Sequence, residues 1–540
     1  MEKKGKLELT WVGKNEEEKL ESRVLIEDTS KSYGNHDNSN MLIHGDNLLA
    51  LKSLEMDYAG MIKCVYIDPP FNTRQAFENY DDNIEESLWL SLMNKRLQIL
   101  YNLLSEDGTL FIHIDDENLG YLQILTDSIF GRKNRLYTIT FKQGAATGHK
   151  AINPGCVTVT NFILMYAKNK EQWNPNKVYT ARAERDTRYG KYILNINDDY
   201  SNWKIITLME AYASFCNIDL KTARKRAKEH PEEVDEFVYN HARAVIRTAR
   251  PDYKNVGKEI KQAIDLSIAD PERILKLERT NYADMFFVGG ERILFYADKF
   301  KEIDGELVAG NPLTTLWDDL LSNNLHNEGG VSFPKGKKPE GLLKRVFELS
   351  TNEGDYVLDC FLGSGTTAAV AHKMNRKWIG IEMGEQCYTH CKVRLDSVID
   401  NRDSSGITKA VDWKGGGGYR FFELAEPLLI RSEMLPVYQI NPSYTWDMVC
   451  QAICKIEGFK YCISGEFQGF SSENRFIHIT EEFVNMKYLV SIMKSIRDYQ
   501  SILIYCKRRQ ADMILPDNVQ IKKIPKDLLD KCSFEYESEV

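Results

Sequence analysis

Residues 62–68, IKCVYID, form a nearly continuous apolar run that Pro69 and Pro70 bring to a stop. A strand reads this way when both of its faces are buried, as in parallel sheets covered by helices on each side. Proline lacks the N–H that a central strand needs for its ladder, so the run must end there. This commits the chain to a layered α/β fold, and the neighbouring segments agree. Residues 41–45, MLIHG, predict a short strand closed by Asp46 and Asn47, with LLALKSLEM helical after it. Apolar residues at 88, 92, 93, 97, 100 and 104 recur at helical spacing. GTLFIHID (108–115), which ends in the acidic pair Asp115 and Asp116, and VTVTNFILMYAK (157–168) predict two more strands. The pattern returns near residue 340. EGLLKRVFELS predicts a helix, DYVLDCF (355–361) a strand, TTAAVAHKM (366–374) a helix and KWIGIE (377–382) a strand. Strands alternating with helices predict a doubly wound sheet.

Between these halves, residues 171–310 are polar and show few clean strand patterns. Within them, residues 221–258 carry ten Lys/Arg against six Asp/Glu, a local +4 in a chain of net charge −9. The overall charge argues against coating nucleic acid through bulk positive charge, but leaves room for a local basic cleft. At 540 residues, several domains are expected. Residues 1–40 read as a polar arm, the glycines at 415–418 as a joint, and 420–540 as a smaller α/β-like region. No apolar run reaches the ~18 residues of a membrane helix. The N-terminus carries no apolar stretch of signal-peptide length, so a cytoplasmic protein is expected. The eleven cysteines are scattered, several in apolar runs, and read as free buried thiols. Cys387, His390 and Cys391 have ligand-like spacing without a second pair, and no metal is expected.

Two motifs carry chemistry. In DCFLGSGTTAA (359–369) a strand runs into Gly363-Ser364-Gly365 and a helix follows. Glycines there let the backbone turn sharply, and the helix start offers free N–H groups to a ligand. Glu382 closes the next strand, where a carboxylate can accept both ribose hydroxyls of an adenosine cofactor. The pattern fits either a dinucleotide or S-adenosylmethionine (SAM). The second motif, Asp68-Pro69-Pro70-Phe71, lies at the carboxyl end of a predicted parallel strand, the edge where such sheets bind ligands. An exocyclic base amine is a poor nucleophile, because its lone pair is delocalised into the ring. It needs acceptors for its protons, and Asp68 and the Pro69 carbonyl can supply two. Phe71 offers a face on which an extruded base can stack.

With D-P-P-F before G-S-G in sequence, the chain resembles the β-group of amino-DNA methyltransferases. More closely, it resembles the modification (Mod) subunit of type III restriction–modification systems. KLELTWVGK (6–14), MLIHGDNLLAL (41–51), YIDPPFNT (66–73), GTLFIHIDD (108–116), LDCFLGSGTTAAVAHKMNRKWIGIE (358–382), WKGGGG (413–418) and IKKIPKDLLDKC (521–532) all look like that family. Phe71 stands where tyrosine is commoner. The resemblance implies a Rossmann-like SAM-dependent methyltransferase sheet with circularly permuted motif order, an inserted target recognition domain and a smaller C-terminal domain. The implied division is an arm at 1–40, catalytic parts at 41–170 and 326–400, target recognition at 171–325 and an assembly domain at 401–540. Asp68, Pro69, Pro70 and Phe71 would form the catalytic pocket. Asp359, Phe361, Gly363 and Gly365 would line the cofactor, Glu382 would take the ribose hydroxyls, Asp46 would meet the adenine region, and Lys338 the SAM carboxylate. The implied activity is site-specific methylation of adenine N6 in double-stranded DNA, with base flipping and no metal. The implied assembly is a homodimer with a separate ATP-dependent restriction (Res) subunit. Each Gly-Lys of the chain lacks the Ser or Thr of a phosphate-binding loop, so an ATP motor is expected on a partner.

Other readings stay open. A cytosine-N4 methyltransferase would use the same pocket chemistry, and a non-catalytic DNA-binding subunit would keep the pocket without transfer. A dinucleotide oxidoreductase would leave DPPF without a role. Asp252, Glu259 and Lys261 loosely resemble a nuclease metal site in what reads as a charged helix.

Overall fold

The computed structural model describes residues 8–15, 23–35, 39–72, 85–145, 155–182, 184–280, 282–320, 325–333, 336–432 and 437–529. Residues 1–7 and part of the remaining arm, Thr73 of YIDPPFNT, and 530–532 of the C-terminal segment lie outside the described residues. The chain divides into two compact units, Met1–Asn176 with Thr314–Val540, and Lys177–Leu313.

The first unit is built on one large sheet. Its strands are β1 (Leu25–Glu27), β2 (Met41–His44), β3 (Ile62–Ile67), β4 (Leu104–Ile114), β5 (Arg135–Lys142), β6 (Thr160–Ala167), β7 (Leu316–Trp317), β8 (Tyr356–Asp359), β9 (Lys377–Glu382) and β10 (Gly418–Leu424). Their order is β1-β10-β2-β9-β8-β3-β4-β6-β5-β7, with Tyr33–Gly34 added against β10. From β10 to β4 every neighbouring pair is parallel. β6 then runs antiparallel to β4, and β5 antiparallel to β6.

β3 behaves as its apolar run predicts. Cys64, Val65, Tyr66 and Ile67 are all at most 1% exposed, so both faces are covered. Val65 and Ile67 join a core with Leu48, Leu51 and Leu54 of helix α1 (Asn47–Tyr58) and Met93, Leu97 and Leu100 of α2 (Glu86–Leu103). Each such side chain, fully buried, stabilises the unit by about 1.5–3 kcal/mol. Further helices are α3 (Asp116–Thr126), α4 (Glu340–Ser350), α5 (Thr366–Lys373) and α6 (Val393–Ile399). The α4 and β9 bounds coincide with those read from the sequence.

Two features differ from expectation. β5, RLYTITFK, gave no clear strand signal, because its first four residues are only half-buried or exposed. β10 falls within the expected C-terminal domain but pairs in register with β2, from Arg420↔Met41 to Glu423↔His44. The glycines before it adopt left-handed φ of 85°, 101° and 79° at Gly415, Gly416 and Gly417, and so deliver the chain to the sheet. Beyond β10, a five-stranded sheet (Lys460–Ser464, Phe467–Ser472, Arg475–Val484, Ser501–Arg509, Val519–Lys523) packs with helices Trp446–Ile456 and Met486–Met493.

The second unit, Lys177–Leu313, holds a six-stranded antiparallel sheet and a three-stranded one. The sequence hid them because most of these strands are three to five residues long and half-exposed. The basic stretch becomes helices Leu220–Glu229 and Pro231–Asn240 and strand Val245–Ala249. Lys221, Arg224, Lys225 and Lys228 are exposed, whereas Arg226 is bound to Glu233 at 2.6 Å. Asp252 serves a turn, accepting from Lys254 N and Asn255 Nδ2.

Candidate active site

The parallel strands present their carboxyl ends along one edge of the sheet. Asp68 follows β3, Asp115 follows β4, Asp359 ends β8 and Glu382 ends β9. β3 and β8 are direct neighbours there, although the chain makes them far apart. Both motifs of the sequence are thereby brought together.

The DPPF turn is held from behind. Trp89 Nε1 of α2 donates to the Pro70 carbonyl at 2.9 Å, and Asn118 Nδ2 of α3 donates to the Phe71 carbonyl at 2.7 Å. Asp115 makes the second contact possible by capping α3, accepting from Asn118 N. Asn72, with φ 60°, turns the chain away after Phe71. The Pro69 carbonyl accepts no hydrogen bond among the described residues. Asp68 Oδ1 is buried without a partner among the described residues, and Oδ2 meets Lys338 Nζ at 2.6 Å. Burial pushes the Asp68 carboxyl above its usual range, and the Lys338 ammonium opposes that rise. The Phe71 ring lies nearly parallel to the His113 ring, at 11° and 5.8 Å between centroids. His113 contacts Tyr66 OH and Asn161 Nδ2. Burial holds its pKa well below the ordinary imidazole value, so the ring is neutral near pH 7.

The glycine loop is clamped to its own strand. Asp359 Oδ1 accepts from Phe361 N at 2.9 Å, and Oδ2 accepts from Thr367 Oγ1 at 2.6 Å. Its carboxylate is thus used inside the loop. Burial pushes it up to about 7, and the nearby carboxyls of Asp68 and Glu382 add to the rise. Glu382 Oε2 accepts from Gly363 N at 2.6 Å, while Oε1 accepts from Met383 N, Gly384 N and Gln386 Nε2. Burial raises its pKa and these bonds pull it back.

The two glycines serve different needs. Both adopt left-handed φ, 57° at Gly363 and 78° at Gly365. A Cβ on Gly363 would meet nothing closer than 3.9 Å, its neighbours there being the Phe333 ring and the Phe361 carbonyl. On Gly365 it would lie 3.1 Å from the Cys391 Cα. Cys391, one of the residues with ligand-like spacing, also donates through Sγ to the Gly363 carbonyl at 3.1 Å and so supports the loop. His390 Nε2 bonds the Ser332 carbonyl.

Asp46 caps α1 by accepting from Leu49 N, with Arg96 Nη2 at 3.5 Å from its other oxygen. Its neighbour Asn47 reaches the loop, donating to the Cys360 carbonyl at 2.7 Å and accepting from Arg96 Nε at 2.5 Å. Lys338 stands at the DPPF turn, with Nζ also 5.1 Å from the Phe71 ring centre. Trp89, Asn118, His113, Asn47 and Arg96 were not singled out from the sequence. Only Asn47, adjacent to Asp46 in HGDN, carried a local signal.

The family model N6_N4_Mtase, described as a DNA methylase, matches residues 62–392. A Haemophilus influenzae protein described as "Probable type III restriction-modification enzyme HindVI Mod subunit" is 36% identical over 409 residues, 72% of this chain and 54% of the relative. The EcoP15I Mod subunit of a type III restriction-modification enzyme from Escherichia coli is 26% identical over 502 residues, 81% of this chain and 71% of that one. The chain therefore spans about half the length of the first relative. A solved M1.HpyAVI-SAM complex aligns at 12% identity and a TM-score of 0.32, covering 66% of this chain and 99% of that one.

Proposed function

The chain belongs to the N6/N4 DNA methylase family, and from that premise we propose that it transfers a methyl group from SAM to adenine N6 in double-stranded DNA. We read it as the modification subunit of a type III restriction–modification system. One observation carries the reading. Of the carbonyls in the DPPF turn, those of Pro70 and Phe71 are taken by Trp89 and Asn118, while the Pro69 carbonyl and Asp68 Oδ1 are left open. Two open acceptors beside an aromatic face suit a flipped base that carries an exocyclic amine.

The residues around the glycine loop fit SAM. Glu382 stands at the end of β9 with its carboxylate pinned against the loop, and the space above Gly363 forms a cradle that a Cβ would fill. When bound, SAM supplies a methyl carbon on a sulfonium, an already activated leaving group. Phe71 stacks the base, and Asp68 with the Pro69 carbonyl orients the amine and accepts its protons. As positive charge develops on nitrogen, the Asp68 carboxylate stabilises it. Burial raises the pKa of that carboxyl, so the ionised acceptor form is lost at a higher pH than for an exposed carboxylate. Asp359 holds the loop rather than the ligand. The basic helix face of residues 220–229 supports assigning target recognition to the inserted unit, a homodimer is proposed as the assembly, and the cytoplasm as its compartment. The names of the relatives support a separate restriction subunit as partner.

The test is direct. Protein, unmethylated plasmid and labelled SAM are incubated, the DNA is digested to nucleosides, and the labelled base is identified by mass spectrometry. N6-methyladenine is the expected product. N4-methylcytosine would keep the site and change the substrate, and absence of label with SAM bound would overturn the assignment.

A further inference from the structure

Lys338, expected at the cofactor's carboxylate, places its ammonium at the DPPF turn. Nζ is 2.6 Å from Asp68 Oδ2 and 5.1 Å from the centre of the Phe71 ring. The Phe71 face is the place a stacked base must take, and Oδ2 is the carboxylate oxygen beside the open Oδ1 that the amine would use. The Lys338 side chain is 14% exposed and that of Asp68 is 19% exposed, so this is an enclosed contact rather than a solvated surface pair.

The backbone that carries Lys338 is fixed on both sides. Lys337 Nζ donates to the Val331 carbonyl at 2.7 Å and to the Glu328 carbonyl. Glu340, fully buried, binds Lys373 at 2.8 Å and Arg394 at 2.8 Å, and Lys373 also binds Asp403 at 2.7 Å. Glu340 N donates to Glu328 Oε1 at 2.7 Å. Between them Pro339 restricts the chain further. These bonds hold the residues on either side, which leaves the four-carbon stem of Lys338 as the part that can swing.

Resting on the methyltransferase reading above, we propose that Lys338 is a removable counterion of the target-base seat. It neutralises Asp68 through Oδ2 and covers Phe71 while the seat is empty, and it must leave the Phe71 face when the base enters. The positioning role follows from what else surrounds the carboxylate. Tyr66 acts on it from its own strand and Asp359 from β8, while His113 of β4 acts on Lys338, and burial keeps Tyr66 and His113 uncharged. Among the described residues facing Asp68, Lys338 is the cation. Without it a buried carboxylate beside a second carboxyl takes up a proton more readily and loses its acceptor oxygen.

Two variants and two readouts test this. Lys338→Met keeps the length of the stem and removes the charge, while Lys338→Arg keeps the charge. In methyl transfer to plasmid DNA followed from pH 6 to 9, the acid limb of Lys338→Met is expected to move up by about one pH unit or more, with about a tenfold loss at its low end and recovery at its high end. Lys338→Arg is expected to keep the wild-type limb. The second readout omits SAM. A duplex carrying 2-aminopurine at the position the wild type methylates is expected to fluoresce at least about twofold more with Lys338→Met, because the ammonium no longer competes for the stacking face. An unshifted pH limb or equal fluorescence overturns the proposal. So does a pH-independent rise in KM for SAM alone, which would return Lys338 to the cofactor. A wild-type protein that transfers no label overturns the methyltransferase reading, and this proposal with it.

Discussion

A single carboxylate sets the demands on its neighbours in this site. Asp68→Asn replaces one acceptor oxygen with a donor. Methyl transfer is expected to fall by about two orders of magnitude or more, while SAM binding measured by calorimetry stays within about threefold of wild type. An unchanged rate would remove Asp68 from the chemistry. Asp359 gives a separate test, through stability. Its folded pKa is raised to about 7, above the unfolded value near 3.9, so its neutral form favours the fold. That contribution is fully present below the unfolded pKa and is lost as pH rises towards 7. Asp359→Asn mimics the neutral acid. The melting temperature of the variant should therefore gain on wild type by several degrees as pH is raised from 4 to 8, and a constant gap would sink this assignment. Asp68, Phe71 and Glu382 were legible because each sits in a contiguous motif at the end of a visible apolar run. Asn118 and Trp89 were not, because their bonds to the turn span 47 and 19 residues and depend on where α2 and α3 dock.

Elements carry the next layer of constraint, and the glycine loop shows how two similar residues diverge. Both Gly363 and Gly365 adopt a left-handed conformation that costs other residues about 1–2 kcal/mol. Gly363→Ala adds only that strain, since its Cβ would meet the Phe333 ring and the Phe361 carbonyl at an ordinary contact distance of 3.9 Å, but the methyl stands in the proposed cofactor cradle. SAM affinity should weaken about tenfold or more with a modest change in melting temperature. Gly365→Ala adds a clash with the Cys391 backbone, so its melting temperature should drop further. Equal drops would refute the distinction. Beneath the loop, Glu340→Gln leaves Lys373 and Arg394 short of an anion inside the core. That should destabilise the unit by about 3–5 kcal/mol in urea unfolding. The helix α4 that begins with Glu340 was readable to the residue from its periodicity. The ion network was not, since its members come from four separate segments and each reads locally as a surface charge. β10 was hidden for a related reason, because its partner β2 lies at the opposite end of the catalytic sequence.

The whole molecule comprises two compact units, to which the proposed function gives separate tasks. The unit Lys177–Leu313 has its own buried clusters, around Tyr212, Phe237 and Val245 and around Ile193, Ile246 and Ile293. Replacing it with a short flexible linker should leave a protein that melts cooperatively and binds SAM, yet no longer binds or methylates DNA. Loss of cooperative melting would show that the main unit depends on the insertion. The same insertion has a cost in time. β3 and β8, paired at the centre of the sheet, are separated by about 290 residues of sequence. A ribosome working at ~5–20 residues per second takes roughly 15–60 s to travel from one to the other. Throughout that interval the nascent chain holds Cys64, Val65, Tyr66 and Ile67 on a strand whose inner neighbour has not been made. Such an unpaired apolar edge invites association with other chains. Synthesis therefore favours whatever shields this edge, and no polypeptide released early can carry the whole proposed site, which is complete only after translation has passed Glu382 at the end of β9.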